Sequence, residues 1–249
     1  MKTSFITLTA YFPASAKEEM EGRIWQWIQE HSPETEIAWK LEAQKDWLKE
    51  WKKFFKPFRL AGLKFVPVWL ANRVKKDPNA ILVEPGMAFG TGTHATTRFA
   101  IELLKFLKDE NQIQGKSVLD VGTGSGILSV VAQRFGAQQV LAIDNDPECW
   151  RESAKMFKKN NTKNCRVSKI SLEKTTRKFD VIIANIIDGV LIDIKDHLWR
   201  STKPNGYIIL SGILTDGAPA FKKSFMAENK GSVIHEMTDQ EWTALLISK

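Results

Sequence analysis

Cysteine is scarce in this 249-residue chain: only Cys149 and Cys165 occur, without metal-ligand spacing and without histidines nearby. No metal site is expected. Free thiols in a reducing cytoplasm are expected instead, a disulfide being the alternative. No run of 18 or more apolar residues exists, so no membrane span is expected. The stretch Phe5 to Phe12 is broken by Thr7, Thr9 and Pro13, and lacks the continuous core and small-residue cleavage site of a signal peptide. A dinucleotide fingerprint of the form G-x-G-x-x-G is missing as well, and that absence proves informative.

What is present is ordinary for a globular protein: 43% hydrophobic and 26% charged residues, enough chain for one large domain or two modest ones. The net charge of +7 is unevenly placed. Residues 1–36 hold three basic and six acidic side chains, whereas residues 37–76 hold eleven basic and three acidic. Such a stretch can steer an anionic partner, nucleic acid being the obvious candidate; a solvated helix face with a basic linker explains it equally well.

The chain is organised around Val118 to Ile127, V-L-D-V-G-T-G-S-G-I. Val118, Leu119 and Val121 suggest a buried strand, Gly122, Gly124 and Gly126 a tight turn, and Ile127, Leu128, Val130 and Val131 the start of a helix. Strand, glycine turn and helix open a nucleotide-type cofactor site, because backbone can approach a ligand closely and the helix start presents N–H groups. The third glycine arrives one residue too early for a dinucleotide. Asp120, just before the turn, would repel a pyrophosphate and favour a cation such as the ammonium of a methionine moiety. The cofactor expected is therefore S-adenosylmethionine.

Ahead of this motif, alternation over Ser4 to Phe12 suggests a strand, and Met20, Ile24, Trp27 and Ile28 mark a helix over Lys17 to Glu30. A short strand is expected over Glu34 to Leu41. An amphipathic helix follows through Trp47, Leu48, Trp51, Phe54 and Phe55, then a strand over Leu60 to Val68. These elements make a small α+β domain at 1–68, with 69–80 as a polar linker. From Ile81 onward strands and helices alternate, which predicts a mostly parallel, doubly wound sheet over 81–249. Strands are expected at Val140 to Ile143, Cys165 to Ile170, Asp180 to Ala184 and Tyr207 to Leu210, with a closing pair at Ser232 to His235 and Trp242 to Ile247. Asp144 lies 22 residues after Gly122, where such folds place an acid that accepts hydrogen bonds from ribose hydroxyls. Asn185 follows the strand Asp180 to Ala184, the fourth when counted from the one at Val118, at the strand end where function collects.

The run Glu84-Pro85-Gly86-Met87-Ala88-Phe89-Gly90-Thr91-Gly92-Thr93-His94, with Thr96-Thr97, resembles the signature of the PrmA family, whose members methylate protein eleven of the large ribosomal subunit. The glycine turn, Asp144, Asn185-Ile186-Ile187, Leu210 to Leu214, Glu241-Trp242 and Trp47 to Arg59 extend the likeness over roughly 46–249. The resemblance implies a seven-strand Rossmann-like methyltransferase domain preceded by a small ferredoxin-like substrate-recognition domain. Cofactor contacts would then fall on Thr97, Gly122, Asp144 and Asn185, with Asp120 and Gly124 added by the glycine-turn reading, and Phe89 because the glycine- and hydroxyl-rich stretch Glu84 to Thr97 ahead of a helix can wrap a ligand. Asn185 is the expected catalytic residue, its side chain facing the amine acceptor. Ribosomal large-subunit protein eleven is the implied protein substrate, its lysine and/or N-terminal amines the acceptors, and a cytoplasmic monomer the implied state. Two departures stand out: Ala95 where the family usually has proline, and Ile187-Asp188 in place of leucine-alanine.

His94 is read as a loop anchor, or else a proton acceptor. Competing readings are a lysine methyltransferase of another protein and a nucleic-acid amine methyltransferase. The latter typically follows its asparagine with two prolines and a stacking aromatic, whereas Ile186, Ile187 and Asp188 follow here.

Overall fold

The computed structural model describes residues 8–40, 56–84, 92–227 and 231–249. The chain divides into two units, Met1–Lys53 and Phe54–Lys249.

In the first unit a short 3-10 turn at Ala14–Ala16 leads into helix α1, Lys17–His31. Met20 and Ile24 are half-buried and Ile28 buried, one residue per turn along a single stripe. Trp27 departs from that stripe: it is exposed and stacks on His31, with ring centroids 4.7 Å apart. No strand forms at described residues 8–12 or 35–40. The rest of those two expected strands, and the helix expected through Trp47 to Phe55, lie outside the described residues.

The second unit opens with a three-stranded sheet of β1 (Phe58–Leu60), β2 (Leu63–Pro67) and β3 (Ala80–Val83). The single strand expected over Leu60 to Val68 is thus a hairpin edge. The chain reverses at Ala61–Gly62, both at positive φ, and Phe58 pairs with Phe65. β2 and β3 run parallel, joined by a 3-10 crossover at Val68–Arg73. Of the expected linker 69–80, residues 69–79 connect strands within one sheet and Ala80 begins β3, and the division of the chain falls earlier, at Lys53/Phe54. The outer edge of β3 is closed by a side chain: the Asn160 amide accepts from Leu82 N (2.8 Å) and donates to Leu82 O (2.9 Å).

A seven-stranded sheet follows, built from β4 (Ser117–Val121), β5 (Gln139–Ile143), β6 (Cys165–Ser168), β7 (Phe179–Asn185), β8 (Thr202–Leu214), β9 (Ser232–Thr238) and β10 (Trp242–Ser248). Its order is β6-β5-β4-β7-β8-β10-β9. The first five strands pair in parallel, while β10 runs antiparallel to both β8 and β9. Helices α2 (Ala95–Asp109), α3 (Ile127–Arg134), α4 (Pro147–Lys159), α5 (Asp188–Asp193), α6 (Lys195–Ser201) and α7 (Ala218–Met226) connect the strands. Between β7 and β8 the connection is two short helices, separated where Ile194 leaves helical geometry. Asp146 caps α4 by accepting from Glu148 N at 2.8 Å, with Pro147 at the first helical position.

The apolar faces of this sheet feed two cores. One joins α2, α3 and α4 to Val118, Val181 and Ile209 and takes in Phe65 and Ile81 of the small sheet. The other joins α5, α6 and α7 to Leu119, Ile182 and Leu210. Alternate residues of each central strand serve opposite faces, which is why β7 reads as an unbroken apolar run. From β4 the chain proceeds to β5 and β6 on one side, then returns to β7 and β8 on the other. The crevice above the ends of β4, β5 and β7 is the topological switch point of this sheet.

Candidate active site

A cavity of about 310 Å³ opens at that switch point, within the usual range for small-molecule pockets. The ends of three strands form it. Ile143, Asp144 and Asn145 leave β5 on one side, Gly122 to Gly124 leave β4 in the middle, and Asn185 and Ile186 leave β7 on the other. Thr97 enters from the first turn of α2, and Cys149, Ile170 and Leu172 complete the β5 side. Of the residues expected from sequence, Thr97, Gly122, Gly124, Asp144 and Asn185 therefore meet around one cavity. Phe89 lies outside the described residues.

Asp144 holds the turn as well as the wall. Its Oδ2 accepts from Gly124 N at 2.9 Å and its Oδ1 from Asp146 N at 3.0 Å, each oxygen keeping lone-pair capacity for a hydroxyl. Trp150 Nε1 donates to the Asp144 carbonyl at 2.7 Å and fixes the backbone there.

Asp120 occupies a different position from the one its place in the motif suggests. It is not on the cavity wall: it is 1% exposed, beneath the glycine turn. Its Oδ2 accepts from Thr123 Oγ1 (2.7 Å) and Ser129 Oγ (2.6 Å), while Oδ1 has no partner. Burial pushes its carboxyl up to about 6, against the lowering effect of the two hydroxyls, and Asp144 raises it further. The side chain braces the turn against α3, and its geometry gives a direct ligand contact no support.

On the β7 side, Asn185 Nδ2 donates to Thr97 Oγ1 at 3.3 Å. Ile186 is held by backbone, its N–H donating to Ser211 O at 3.0 Å, and Ser211 Oγ donates to Thr96 O at 2.9 Å. Two glycines make room for Ile186. A Cβ at Gly122 would lie 2.8 Å from the Ile186 side chain, and one at Gly212, where φ is +91°, would lie 2.5 Å from Ile186 O. The stretch Leu210 to Leu214 is thus part of the site through its backbone, a role that only the glycine and serine in its sequence signal.

His94 is the N-cap of α2. Its Nδ1 accepts from Thr96 N and lies 2.9 Å from Thr96 Oγ1, and its ring packs edge-on against Trp242 at 5.4 Å. The loop-anchoring reading fits this geometry, since the ring is not on the cavity wall.

The site thus combines a half-buried glycine-turn backbone on the cavity wall, a carboxylate on one flank and a carboxamide on the other, separated by apolar walls. An elongated ligand with a hydroxyl-bearing end and a reactive end fits that distribution. Its reactive end would lie against the carboxamide.

Comparison with known proteins gives a consistent result. A sequence model of the family described as ribosomal protein L11 methyltransferase (PrmA) matches residues 1–249. The ribosomal protein L11 methyltransferase of Streptococcus uberis is 36% identical over 256 residues, spanning 98% of this chain and 78% of that protein. That of Caldicellulosiruptor saccharolyticus is 33% identical over 255 residues, spanning 100% and 82%. The crystal structure of ribosomal protein L11 methylase from Lactobacillus delbrueckii subsp. bulgaricus superposes with a TM-score of 0.69 at 32% identity, over 78% of this chain and 99% of that one. The chain belongs to the PrmA family of ribosomal protein L11 methyltransferases.

Proposed function

We propose that this protein methylates ribosomal protein L11 on lysine and/or N-terminal amines, with S-adenosylmethionine as methyl donor. The observation that carries the reading is the single cavity shared by the glycine turn, Asp144, Thr97 and Asn185. When bound, S-adenosylmethionine supplies a methyl group already activated by its sulfonium. Asp144 would hold the ribose hydroxyls through its remaining lone pairs, and the Gly122–Gly124 backbone would line the amino-acid portion.

The chain's own task is then to present a neutral amine in line with that methyl group. With Nδ2 engaged by Thr97, Asn185 has Oδ1 left to accept an amine N–H and aim the nitrogen lone pair. Such alignment accounts for roughly 7–11 kcal/mol in favourable cases. A lysine ammonium, with a pKa of about 10.4 in water, carries no lone pair. Ile186, Val190 and Ile194 on the wall disfavour the charged form by desolvation, so the amine is bound as the free base.

The nucleic-acid reading lacks an aromatic face after Asn185: Ile187 there is 63% exposed and offers no stacking plane. A cytoplasmic location and a monomer go with the protein-methyltransferase reading. Among the described residues no helix is long and apolar enough to cross a membrane.

Intact-mass analysis of purified L11 incubated with enzyme and S-adenosylmethionine tests the reading. Mass increments of one CH₂, mapped to lysine or the N-terminus, are expected. Unchanged L11, with label recovered on RNA instead, would overturn it.

A further inference from the structure

The strand starts, at the opposite end of the sheet from the cavity, carry an unusual set of side chains. Loops 110–116, 135–138, 160–164 and 175–178, with the opening residues 202–206 of β8, form this edge, and hold Lys116, Lys163, Arg177, Lys178 and Lys203 against the single acid Glu110. Asp180, one residue into β7, is ion-paired with Lys203 at 2.9 Å and also accepts from Ser117, so it neutralises Lys203 and leaves Lys116, Lys163, Arg177 and Lys178 as the cations that set the charge of the row.

Strand order turns these separate loops into a line. Lys163 precedes β6, Lys116 precedes β4, Arg177 and Lys178 precede β7, and Lys203 begins β8, so the cations follow β6-β5-β4-β7-β8 across the sheet. At about 4.8 Å per strand the row spans roughly 19 Å. The one strand without a cation at its start is β5, and there Gln139 accepts from Arg177 at 2.7 Å. Lys163, Arg177 and Lys178 are exposed.

Cations at helix C-termini have a local cause. Arg134, Lys158 and Arg200 lie in the last turns of α3, α4 and α6, where the macrodipole favours them. Of the cations at the strand starts, Lys203 pairs with Asp180 and Arg177 lies over the Phe179 ring, whereas Lys116, Lys163 and Lys178 sit outside the last turn of any helix. Among them stand the exposed amides Gln114, Gln138 and Asn164, which can donate to phosphate and sugar oxygens. Within the second unit, none of the large exposed hydrophobic side chains of the described residues falls in these segments, which therefore supply neither a stacking platform nor an apolar patch of their own.

We propose that this edge binds the phosphate backbone of a nucleic-acid duplex, leaving the cavity at the other end of the sheet open. A cationic row with amides and without aromatics suits a duplex read by shape better than splayed single strands. The surface differs from the basic stretch of residues 37–76, whose described cations include the exposed Lys56, Lys75 and Lys76.

The test is fluorescence anisotropy with a labelled RNA hairpin of roughly 16 base pairs, a DNA duplex of the same length and a single strand. Two charge-matched variants of the full chain are compared, Lys116→Glu/Lys163→Glu/Lys178→Glu and Lys56→Glu/Lys75→Glu/Lys76→Glu. The edge variant should lose at least tenfold in duplex affinity. Its plot of log affinity against log salt, over about 50–200 mM, should become shallower by about 2 to 3, near 0.9 per lost phosphate contact. The second variant should retain most of the binding. The RNA and DNA arms show which duplex is the source. Preference for the single strand, equal losses in both variants, or duplex binding untouched by the edge variant would overturn the proposal. Unchanged thermal melting, or the corresponding Lys→Gln set if melting shifts, separates binding from folding.

Discussion

Asn185 Nδ2 donates to Thr97 Oγ1 across 3.3 Å, linking the end of β7 to the first turn of α2 over 88 residues of sequence. Thr97 is fully buried, so its hydroxyl cannot trade the amide for bulk water. The bond fixes which end of the carboxamide faces the cavity, and therefore whether the site accepts or donates toward an amine.

Removing either partner should thus affect turnover more than binding. Asn185→Ala should lower kcat by about 10²–10³, the scale seen when one oriented polar group is lost, with cofactor affinity changed little. Thr97→Val keeps the shape and frees the amide to rotate, so kcat should fall by about tenfold with a smaller change in KM. Steady-state kinetics on L11 and a cofactor titration by fluorescence separate the two. Wild-type turnover in Asn185→Ala would remove this residue from the chemistry.

Gly212 concerns backbone rather than side chains. Its φ is +91°, and a methyl group added there would lie 2.5 Å from Ile186 O, which leaves no room for alanine. Gly212→Ala should destabilise by about 1–3 kcal/mol from backbone strain alone, with more from displaced backbone at Ile186. A urea midpoint lowered together with activity is expected. An unchanged midpoint would mean that the β8 strand can shift without cost.

The fold of the second unit was legible because its parallel strands are apolar on both faces and its caps are spelled out, as at Asp146-Pro147. The cavity residues were legible for the same reason: strand ends in such a sheet converge, so Gly122, Asp144 and Asn185 had to meet. Asp120 misled, since a carboxylate beside a glycine turn looks the same in sequence whether it points at the ligand or beneath the turn. Ser129, nine residues on, is what draws it under, and nothing in the local pattern marks that hydroxyl as its partner. Side chains that replace backbone partners are equally silent, as Asn160 on the edge of β3 shows. The hairpin at Ala61–Gly62 was hidden because its first turn position is an alanine at positive φ, a residue that does not mark a turn in sequence.

Asp120 gives the protein a pH signature. Its carboxyl is raised to about 6 in the fold, chiefly by burial, from an ordinary 3.8. The folded state therefore binds the proton more tightly than the unfolded chain. This contribution to stability is fully present below about pH 4 and lost as pH rises through about 6. Asp120→Asn abolishes the titration. The stability difference between variant and wild type should shift in favour of the variant by on the order of 3 kcal/mol between pH 4 and pH 7. Denaturant unfolding of the ligand-free protein at both pH values measures it, and a difference independent of pH would contradict the burial-driven shift.

Asp180 carries the opposite sign. Burial alone would raise it, but the Ser117 and Lys203 hydrogen bonds outweigh that and hold it at about 2. Its contribution is present above about pH 4 and lost as pH falls through about 2. Asp180→Asn should therefore be less stable than wild type at pH 7, with the gap closing between pH 4 and pH 2. Acid titration of unfolding midpoints for both proteins checks this, and a gap that stays constant would refute the ion-pair account.

Cys149 offers a chemical readout of the cavity itself. The thiol lines the β5 side, and burial, aided by the charges of Asp144 and Asp146, pushes it up to about 11. At pH 7.5 its thiolate is scarcer than that of an ordinary cysteine, with a pKa of about 8.5, by about two orders of magnitude, so alkylation should be slow in proportion. Cys165 is buried and pushed up to about 12, which leaves Cys149 as the faster-reacting site. Iodoacetamide labelling followed by peptide mass analysis should show a rate rising about tenfold per pH unit up to pH 9 or so. Adding S-adenosylhomocysteine should slow it further by covering the same wall. Labelling of Cys149 at an unchanged rate under saturating ligand would place the cofactor outside this cavity, and the assignment of Asp144 to its ribose would fall with it.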